Sequence, residues 1–230
     1  MLAATDRVQE LIDNDQSQIF IIEGGPGYGK TAYGCSILAE LHSEDGETGN
    51  WDPNVLKRYI GFHPQRVLEK WRDAHKEKVF LWDDAGAWLH SLDFQNPLVK
   101  DIGKQLQAIR TKYHCVIFTC LDADDLIKKI RMHTNAITIR ITLKGCEPKS
   151  KYISLKYRRN ADAKHWEKDW YGNLYRVDDW VEPYNCYYPH DFFKWYGPTR
   201  TSYVDVLNKI SLKEAKRNKE IASILKHIEI

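Results

Sequence analysis

Short hydrophobic runs alternate along this chain with longer segments in which hydrophobic residues recur every three or four positions. The runs at 19–23, 79–82 and 115–119 are long enough for strands that are buried on both faces. Residues 56–62 are predicted to form the second strand, and residues 136–143 alternate hydrophobic and polar side chains as a half-exposed edge strand does. This succession of strands, with a helical segment between most neighbours, predicts an α/β protein with a parallel sheet.

Amphipathic spacing predicts a helix before the first strand and helices in the segments that separate the later ones. Thr5 or Asp6 is the expected N-terminal cap of the first helix, because short oxygen-bearing side chains accept hydrogen bonds from free helical N–H groups. The predicted helices cover residues 5–14, 31–42, 64–76, 88–92, 97–111 and 122–131.

Beyond residue 143 the chain follows a different pattern, rich in aromatic and basic residues. Residues 145–150 are predicted to form a hairpin loop, and residues 152–158 alternate as a strand does. Residues 166–181 are strand-like and aromatic. A short helix is predicted from Pro189, and a longer charged helix over residues 202–228. The predicted domains are an α/β core at 1–143, a β-rich basic and aromatic extension at 144–200 and a C-terminal helix at 201–230.

The first predicted strand runs directly into a glycine-rich segment that ends in Lys30 and Thr31. The segment fits the pattern G-x-x-x-x-G-K-T, with the preceding strand and following helix that a phosphate-binding loop requires. Its glycines let successive N–H groups curl around a phosphate, and the next helix presents its N-terminal N–H groups to the same anion. The residues predicted to bind the nucleotide cofactor are Gly24, Gly25, Pro26, Gly27, Tyr28, Gly29, Lys30, Thr31 and Ala32.

Lys30 and Thr31 have separate predicted roles at this loop. Lys30 is predicted to place its charge on the β- and γ-phosphates and so to take part in catalysis, whereas the Thr31 hydroxyl is predicted to bind Mg²⁺. The expected ligands are therefore ATP, as the default nucleotide, and Mg2+. The alternative is a glycine-rich turn that fits by chance, which requires four fixed positions and both flanks to agree by accident.

Two carboxylates, Asp83 and Asp84, follow the hydrophobic run at 79–82. Ligands of open parallel sheets bind at the carboxyl ends of the strands, where both acids fall. Asp83 is predicted to hold Mg²⁺, directly or through water, and Asp84 to orient and polarise the attacking water. Thr119 ends the next strand, where its hydroxyl can bond that water or the γ-phosphate. The alternatives are an acidic turn and a threonine that simply suits a strand end.

The formal net charge is only +2, but basic residues are concentrated in one part of the chain. Residues 126–160 hold ten basic residues and one acidic residue, a net charge of +9, whereas residues 161–191 carry a net charge of −4. Such a block is either a nucleic-acid footprint or a solvated hairpin face, and composition leaves both open. The residues predicted to contact DNA are Lys149, Lys151, Lys156, Arg158 and Arg159.

The rest of the composition predicts a cytoplasmic protein with no membrane association. The N-terminus has no charged segment followed by an apolar run, and no apolar run approaches membrane-spanning length. Five cysteines, none of them in a C-x-x-C pair, fit reduced thiols better than a disulfide framework. Nine scattered histidines give no metal-ligand spacing, so no structural metal is expected.

The order of these motifs resembles the additional-strand class of P-loop NTPases, which includes AAA+, RecA-like and helicase ATPases. The resemblance covers residues 15–143. In that class the Thr-tipped strand inserts between the other two, so the resemblance implies a three-layer sandwich with the sheet order 5-1-4-3-2. By position, Asp83 matches the Mg²⁺-coordinating acid, Asp84 the catalytic acid and Thr119 the sensor-1 residue. The second acid is more often glutamate in this class, and Asp84 departs from that pattern.

AAA+ proteins carry a trans-acting arginine near the helix that precedes the fifth strand, where Lys129 and Arg131 lie in this chain. A cation there stabilises transition-state charge on the γ-phosphate of a neighbouring subunit. The resemblance therefore implies a homo-oligomer, a ring, in which Arg131 is a catalytic residue of the adjacent site. Arg110 is a second candidate, and capping of a helix C-terminus is the alternative role for these basic residues.

The chain is also similar to small DnaA-like AAA+ ATPases that archaeal viruses and plasmids encode. The similarity lies in residues 82–89 around the two acids, in residues 126–131 and in the aromatic segment at 188–196. The chain departs from AAA+ proteins in residues 144–200, which show no clear helical lid. A sensor-2 arginine is therefore not assignable.

Together these features predict an enzyme that hydrolyses Mg-ATP and couples hydrolysis to a DNA transaction of a mobile element, such as replication, loading, partition or packaging. Tyr152 and Tyr157 in the basic block could stack on bases. One alternative is a small-molecule P-loop kinase, which would need an acceptor pocket and an arginine-rich lid. The other is a slow nucleotide-dependent assembly switch.

Overall fold

The computed structural model describes residues 1–44, 49–93, 95–131, 133, 136–141, 149–156, 166–168, 174–184 and 186–225. For residues 149–156, 166–168, 174–183 and 211–225 the description covers the backbone. The helices are α1 (Ala3–Asp13), α2 (Lys30–Leu41), α3 (Pro53–Leu56), α4 (Pro64–Asp73), α5 (Pro97–Ala108), α6 (Lys128–Arg131) and α7 (His190–Leu225). The strands are β1 (Gln18–Gly24), β2 (Ile60–Gly61), β3 (Glu77–Trp82), β4 (Tyr113–Cys120), β5 (Ala136–Ile141), β6 (Lys149–Lys156), β7 (Trp166–Lys168) and β8 (Leu174–Pro183). Short 3₁₀ turns lie at Ala85–Ala87, Ser91–Asp93, Ile109–Thr111 and Ala123–Asp125.

The strands form one sheet in the order β2-β3-β4-β1-β5-β6-β8-β7. Strands β1 to β5 are parallel to one another, and read from the β5 side they stand in the order 5-1-4-3-2. The predicted α/β class with a parallel sheet is therefore confirmed. This five-stranded part of the sheet, with its helices, is consistent with a P-loop NTPase fold.

The sheet continues beyond β5, so the prediction that residues 136–143 form an edge strand is wrong. Strand β6 pairs antiparallel with β5, with Ile153 opposite Ile139, and β8 pairs antiparallel with β6. Strand β7 completes this side by pairing with β8. Hydrophobic and polar residues alternate along β5 although it lies inside the sheet. Ile139 is buried, whereas Arg140 is exposed, so the alternation does not identify an edge strand.

Helices cover both faces of the parallel part of the sheet. On one face, Ile21 of β1 belongs to a hydrophobic cluster that includes Trp71 of α4 and Ile102 of α5. On the other face, α1 and α2 contact the sheet, and a Cβ at Gly34 of α2 would lie 3.0 Å from the Leu81 side chain. Successive residues of each strand thus serve opposite layers, which explains the unbroken hydrophobic runs.

The predicted second strand at 56–62 is wrong in its first half. Residues Pro53–Leu56 form α3, and the strand that pairs with β3 is confined to Ile60–Gly61. The Asp52 side chain accepts a hydrogen bond from the amide of Asn54 at 2.8 Å, and a proline follows at the first helical position. This capping starts a helix where hydrophobic content alone indicated a strand.

The predicted continuous helix at 122–131 is also wrong. The turn at Ala123–Asp125 is followed by Leu126, whose backbone is extended and forms a β-bridge with His90. Helix α6 begins only at Lys128. The bridge interrupts the helix, because an extended residue cannot continue helical hydrogen bonding.

The expected capping residues of the first helix have other roles. Helix α1 begins at Ala3 after Leu2, which makes no side-chain capping bond. The Thr5 hydroxyl donates instead to the carboxylate of Glu40 on α2, as does the backbone amide of Leu2. Thr5 therefore joins α1 to α2 rather than capping α1.

The two helices predicted near the C-terminus are one continuous helix, α7, which passes through Pro198. Within it, the Thr199 hydroxyl donates to the Trp195 carbonyl at 2.7 Å. The chain divides into compact units at Met1–Pro189 and His190–Ile230. The domain boundaries proposed from the sequence, after residues 143 and 200, stay predictions.

We expect a leucine in the core cluster to contribute far more stability than a leucine at the surface. Leu106 of α5 is 3% exposed and packs in the cluster beneath the sheet, whereas Leu92 is 80% exposed. Leu106→Ala should lower the free energy of unfolding by about 2–5 kcal/mol, because it removes buried methyl groups and leaves a cavity. Leu92→Ala is the matched control and should change it by less than about 0.5 kcal/mol. Urea denaturation measures both, and equal losses would contradict the packing described.

Candidate functional site

The glycine-rich segment forms a loop between the end of β1 and the start of α2. Gly24 has a φ of 152°, and a Cβ at this position would lie 2.7 Å from the carbonyl oxygen of Ile141 on β5. Gly29 has a φ of 91° and immediately precedes α2. Side chains are disfavoured at both positions, which explains the glycine at each. The loop therefore lies between a strand and a helix, as the motif predicted.

Lys30 is the first residue of α2 and is only 9% exposed. Its Nζ donates to the carbonyl oxygen of Gly24 at 2.7 Å and to that of Gly25 at 3.0 Å. The ammonium group therefore lies across the start of the loop. A positive charge and the N-terminal end of a 12-residue helix meet there, and both favour an anion.

Asp83 follows β3 and is fully buried. Its Oδ1 accepts hydrogen bonds from the Thr31 hydroxyl at 2.7 Å and from the Thr119 hydroxyl at 2.8 Å. A buried carboxylate is costly unless it is hydrogen-bonded. These two bonds satisfy Asp83 and at the same time join α2 and β4 to the end of β3. The structure thus brings together Thr31, Asp83 and Thr119, three of the residues that the sequence singles out.

Asp84 has a φ of 53°, in the left-handed region. Its backbone amide donates to the Thr119 hydroxyl at 2.8 Å. Thr119 therefore donates to the Asp83 carboxylate and accepts from the Asp84 backbone, so one buried hydroxyl contacts both residues. Non-glycine residues rarely adopt this φ, and those that do are concentrated at functional sites. The Asp84 side chain is half-buried, whereas Asp83 is fully enclosed.

Strand β2 and the aromatic core fix the end of β3. The Asp83 amide donates to the Gly61 carbonyl at 2.9 Å, and the Trp82 indole N–H donates to the Phe62 carbonyl at 3.0 Å. The Trp82 ring also packs edge-on against Trp71, with a centroid separation of 5.8 Å. The two-residue strand β2 therefore holds the strand that carries both acids.

The oxygen atoms around Asp83 suit a hard divalent cation. Mg²⁺ prefers carboxylate and hydroxyl oxygens, and Asp83 and Thr31 supply one of each, 2.7 Å apart. Over the part of the chain that the structure describes, no group of three or more His, Cys, Asp or Glu side chains could hold a metal ion. A cation at Asp83 would therefore need further ligands, which water or phosphate oxygens can supply.

Glu23 at the end of β1 is a residue that sequence reasoning missed. Its carboxylate is buried and accepts hydrogen bonds from Nε of Arg140 on β5 and from the amide of Ala123 at 2.8 Å. These bonds join β1, β5 and the turn after β4 directly below the phosphate loop. The available signal was an acidic residue that ends an otherwise hydrophobic run.

Tyr184, the residue after β8, is a second contact that the sequence did not indicate. Its hydroxyl donates to the carbonyl oxygen of Gly29 at 2.7 Å. The two residues are far apart in the chain, and no local pattern relates them. The residue that follows β8 therefore contacts the glycine-rich loop.

The predicted trans-acting arginine lies in α6. Nη1 of Arg131 donates to Oδ1 of Asp124 at 3.0 Å, and about a third of the side chain is exposed, 32%. Lys129 lies with its aliphatic chain beside Gly103 of α5, and Arg110 is exposed in the 3₁₀ turn after α5. The structure thus pairs Arg131 within its own chain, and a role in a neighbouring site stays a prediction.

The residues predicted to contact DNA lie on or just after β6. Lys149, Lys151 and Lys156 belong to this strand, whose backbone the structure describes. Arg158 and Arg159 lie outside the described residues. The structure thus places three of the five on a strand of the antiparallel part of the sheet.

In the described parts of the chain, no helix is both long enough and apolar enough to cross a membrane.

The thiols of Cys35, Cys115 and Cys120 are free and buried. Burial raises the pKa of all three thiols, so they stay protonated at neutral pH.

The chain is similar to part of a curated viral protein. No protein-family model matches the chain. Among curated proteins, the chain is 31% identical over 116 residues to a protein of Acanthamoeba polyphaga mimivirus named "Putative replication factor C small subunit". The aligned region covers 48% of this chain and 34% of the relative, so the chain spans about a third of the relative's length.

We expect the Thr119 hydroxyl to stabilise the fold through its two bonds. Thr119→Val keeps the shape but leaves the Asp84 amide and the Asp83 carboxylate each without one partner, so the free energy of unfolding should fall by about 1–3 kcal/mol. Thr138→Val on β5, where the side chain is half-buried, is the matched control and should change it by less than about 0.5 kcal/mol. Urea denaturation compares the two, and equal effects would contradict the bridging role of Thr119.

Proposed function

We propose that this chain is an AAA+ ATPase that binds and hydrolyses Mg-ATP at the loop between β1 and α2. The observation that carries the proposal is the buried Asp83 carboxylate, which accepts hydrogen bonds from Thr31 and Thr119. It joins a phosphate-binding loop, an acidic strand end and a polar strand tip in one cluster. The similarity to the mimivirus relative supports the same class.

The nucleotide is proposed to lie with its phosphates in the loop formed by residues 24–29. Backbone N–H groups of the loop and of Lys30, Thr31 and Ala32 at the start of α2 supply hydrogen-bond donors. The Lys30 ammonium, which lies across the start of the loop, neutralises charge on the β- and γ-phosphates. These groups bind the negative charge of the triphosphate. They do not contact the nucleobase, which would be recognised by other residues.

Thr31 and Asp83 are the residues proposed to hold Mg²⁺. When bound, the cation supplies positive charge that offsets the charge of the phosphates. The Thr119 hydroxyl keeps the Asp83 carboxylate facing Thr31, because it donates to the same oxygen that Thr31 contacts. These hydrogen bonds fix the orientation of both residues, and ligands held in place lower the cost of binding.

Asp84 is proposed as the general base. It takes a proton from the attacking water while the water oxygen forms a bond to the γ-phosphorus. The bond from the γ-phosphorus to the bridging oxygen breaks, and its electron pair leaves with ADP. Thr119 contributes by holding the Asp84 backbone through the amide. The products are ADP and inorganic phosphate.

Hydrolysis is proposed to serve a DNA transaction of a virus or plasmid in the cytoplasm of its host. The support is the name of the mimivirus relative, which refers to replication, and the net charge of +9 on residues 126–160. The chain is further proposed to act as a homo-oligomeric ring. In that ring Arg131 would release Asp124 and act on the γ-phosphate of the adjacent subunit.

We expect Asp84→Asn to abolish hydrolysis while leaving nucleotide binding intact. The amide cannot accept the proton of the attacking water, so turnover should fall by about 10²- to 10⁴-fold, whereas the phosphate loop is unchanged. Phosphate release and ATP titration measure the two properties. The control is Asp93→Asn, an exposed acid, which should change neither. Unchanged turnover in Asp84→Asn would exclude the role given to this residue.

We expect DNA binding to weaken steeply as the salt concentration rises and to depend on the basic residues of β6 and of the segment that follows it. Neutralising Lys149, Lys151, Arg158 and Arg159 together should lower the affinity for DNA. It should also reduce the slope of log affinity against log salt by about one for each DNA phosphate that the protein no longer neutralises. Fluorescence anisotropy with labelled DNA measures both quantities.

The control for this charge removal neutralises four exposed basic residues of the parallel part of the fold: Lys57, Arg58, Lys100 and Lys104. It makes the same change in net charge and should leave the salt slope close to that of the parent. If the parent fails to bind DNA, or binds it independently of salt, the proposed coupling to DNA is wrong.

A further inference from the structure

Tyr184 makes its contacts with the back of the phosphate loop. Its hydroxyl is 2.7 Å from the carbonyl oxygen of Gly29 and 3.3 Å from that of Tyr28. Its ring meets the ring of Tyr33 on α2 edge-on, with a centroid separation of 4.8 Å and an interplanar angle of 60°. One side chain therefore contacts both the loop and the first turn of the helix that follows it.

The bond to Gly29 bears on the direction of a neighbouring N–H group. A trans peptide unit is planar, and its C=O and N–H point in opposite directions. The Gly29 carbonyl and the Lys30 N–H belong to one such unit. The Tyr184 hydroxyl holds the carbonyl toward itself, so the Lys30 N–H points away from Tyr184. The same carbonyl accepts from the Tyr33 amide at 3.0 Å, so the first helical hydrogen bond supports this orientation.

Tyr184 is suited to a fixed donor role. The residue is 6% exposed, and burial raises the pKa of its hydroxyl well above the usual value, so the proton is retained. The neighbouring Tyr33 ring is fully buried. Packing therefore holds the Tyr184 ring in place, and the hydroxyl can follow only small movements of the loop.

The position of Tyr184 in the chain connects it to the antiparallel strands. It follows β8, which pairs with β6, and β6 pairs with β5 next to β1. The segment that contains β6 and β8 thus reaches the loop directly through Tyr184 at Gly29. It is also joined to the loop indirectly, because β6 pairs with β5 and β5 lies beside Gly24.

We propose that Tyr184 is a positioning residue for nucleotide binding: its hydroxyl orients the phosphate loop at Gly29 and couples the strands β6 and β8 to the occupancy of that loop. The inference rests on the proposed function, since it requires that the loop bind ATP. It assigns the extension a direct part in nucleotide binding. Coupling of this kind is reciprocal, so nucleotide must in turn stabilise β8.

The test compares Tyr184→Phe with the parent in the full chain. The variant keeps the ring and removes one donor, so the Kd for Mg-ATP and for Mg-ADP should rise about 3- to 10-fold, the effect of one hydrogen bond. Calorimetric titration measures it. Tyr113→Phe, a buried tyrosine at the start of β4, is the matched control and should leave both Kd values unchanged.

Hydrogen exchange supplies a second measurement that a merely structural role would not affect. In the parent, Mg-ATP should slow amide exchange in residues 174–184, and in Tyr184→Phe this protection should be lost even at saturating nucleotide. A parent that does not bind Mg-ATP would overturn the proposed function itself. A parent that binds but shows no protection of residues 174–184, or a variant that matches the parent in Kd and protection, would overturn the role of Tyr184 alone.

Discussion

The arrangement of the site depends on the need to satisfy one buried carboxylate. Asp83 is enclosed at the end of β3, and its Oδ1 accepts from hydroxyls on α2 and on β4. Removal of either donor would leave charge buried with fewer partners, so the position of Asp83 also fixes Thr31 and Thr119. Thr119 extends the constraint to the next residue through the Asp84 amide. Because the buried carboxylate needs hydrogen-bond donors, Thr31, Asp83 and Thr119 lie together, and the Asp84 backbone is bonded to the same cluster.

Two residues outside the glycine-rich motif, Glu23 and Tyr184, fix the position of the loop. Glu23 ties its base to β5 and to the turn after β4, and Tyr184 holds the Gly29 carbonyl. Both contacts involve the side of the sheet to which the antiparallel strands are added. The antiparallel strands are therefore joined to the parallel sheet as a continuation of it, and the residue after β8 contacts the loop.

Local sequence patterns were sufficient for the parts of the site that lie at strand ends. The phosphate loop, the acids at 83 and 84 and the threonine at 119 each follow a hydrophobic run, and the parallel order of the strands brings their ends together. Contacts between distant residues could not be predicted, because no periodicity relates Tyr184 to Gly29 or Arg140 to Glu23. Strand β6 pairs antiparallel with β5, as the hairpin loop predicted at 145–150 implies, and this pairing is incompatible with an edge position for residues 136–143.

We propose that the Lys30 loop and the Asp83 cluster form one Mg²⁺-dependent site for ATP hydrolysis. The most direct test is phosphate release from ATP, measured with and without Mg²⁺, by the parent and by Lys30→Met. We expect the parent to release phosphate only with Mg²⁺ and the variant to release none, because the methionine cannot neutralise phosphate charge. Release that persists in Lys30→Met, or its absence in the parent with Mg²⁺, would contradict the proposal.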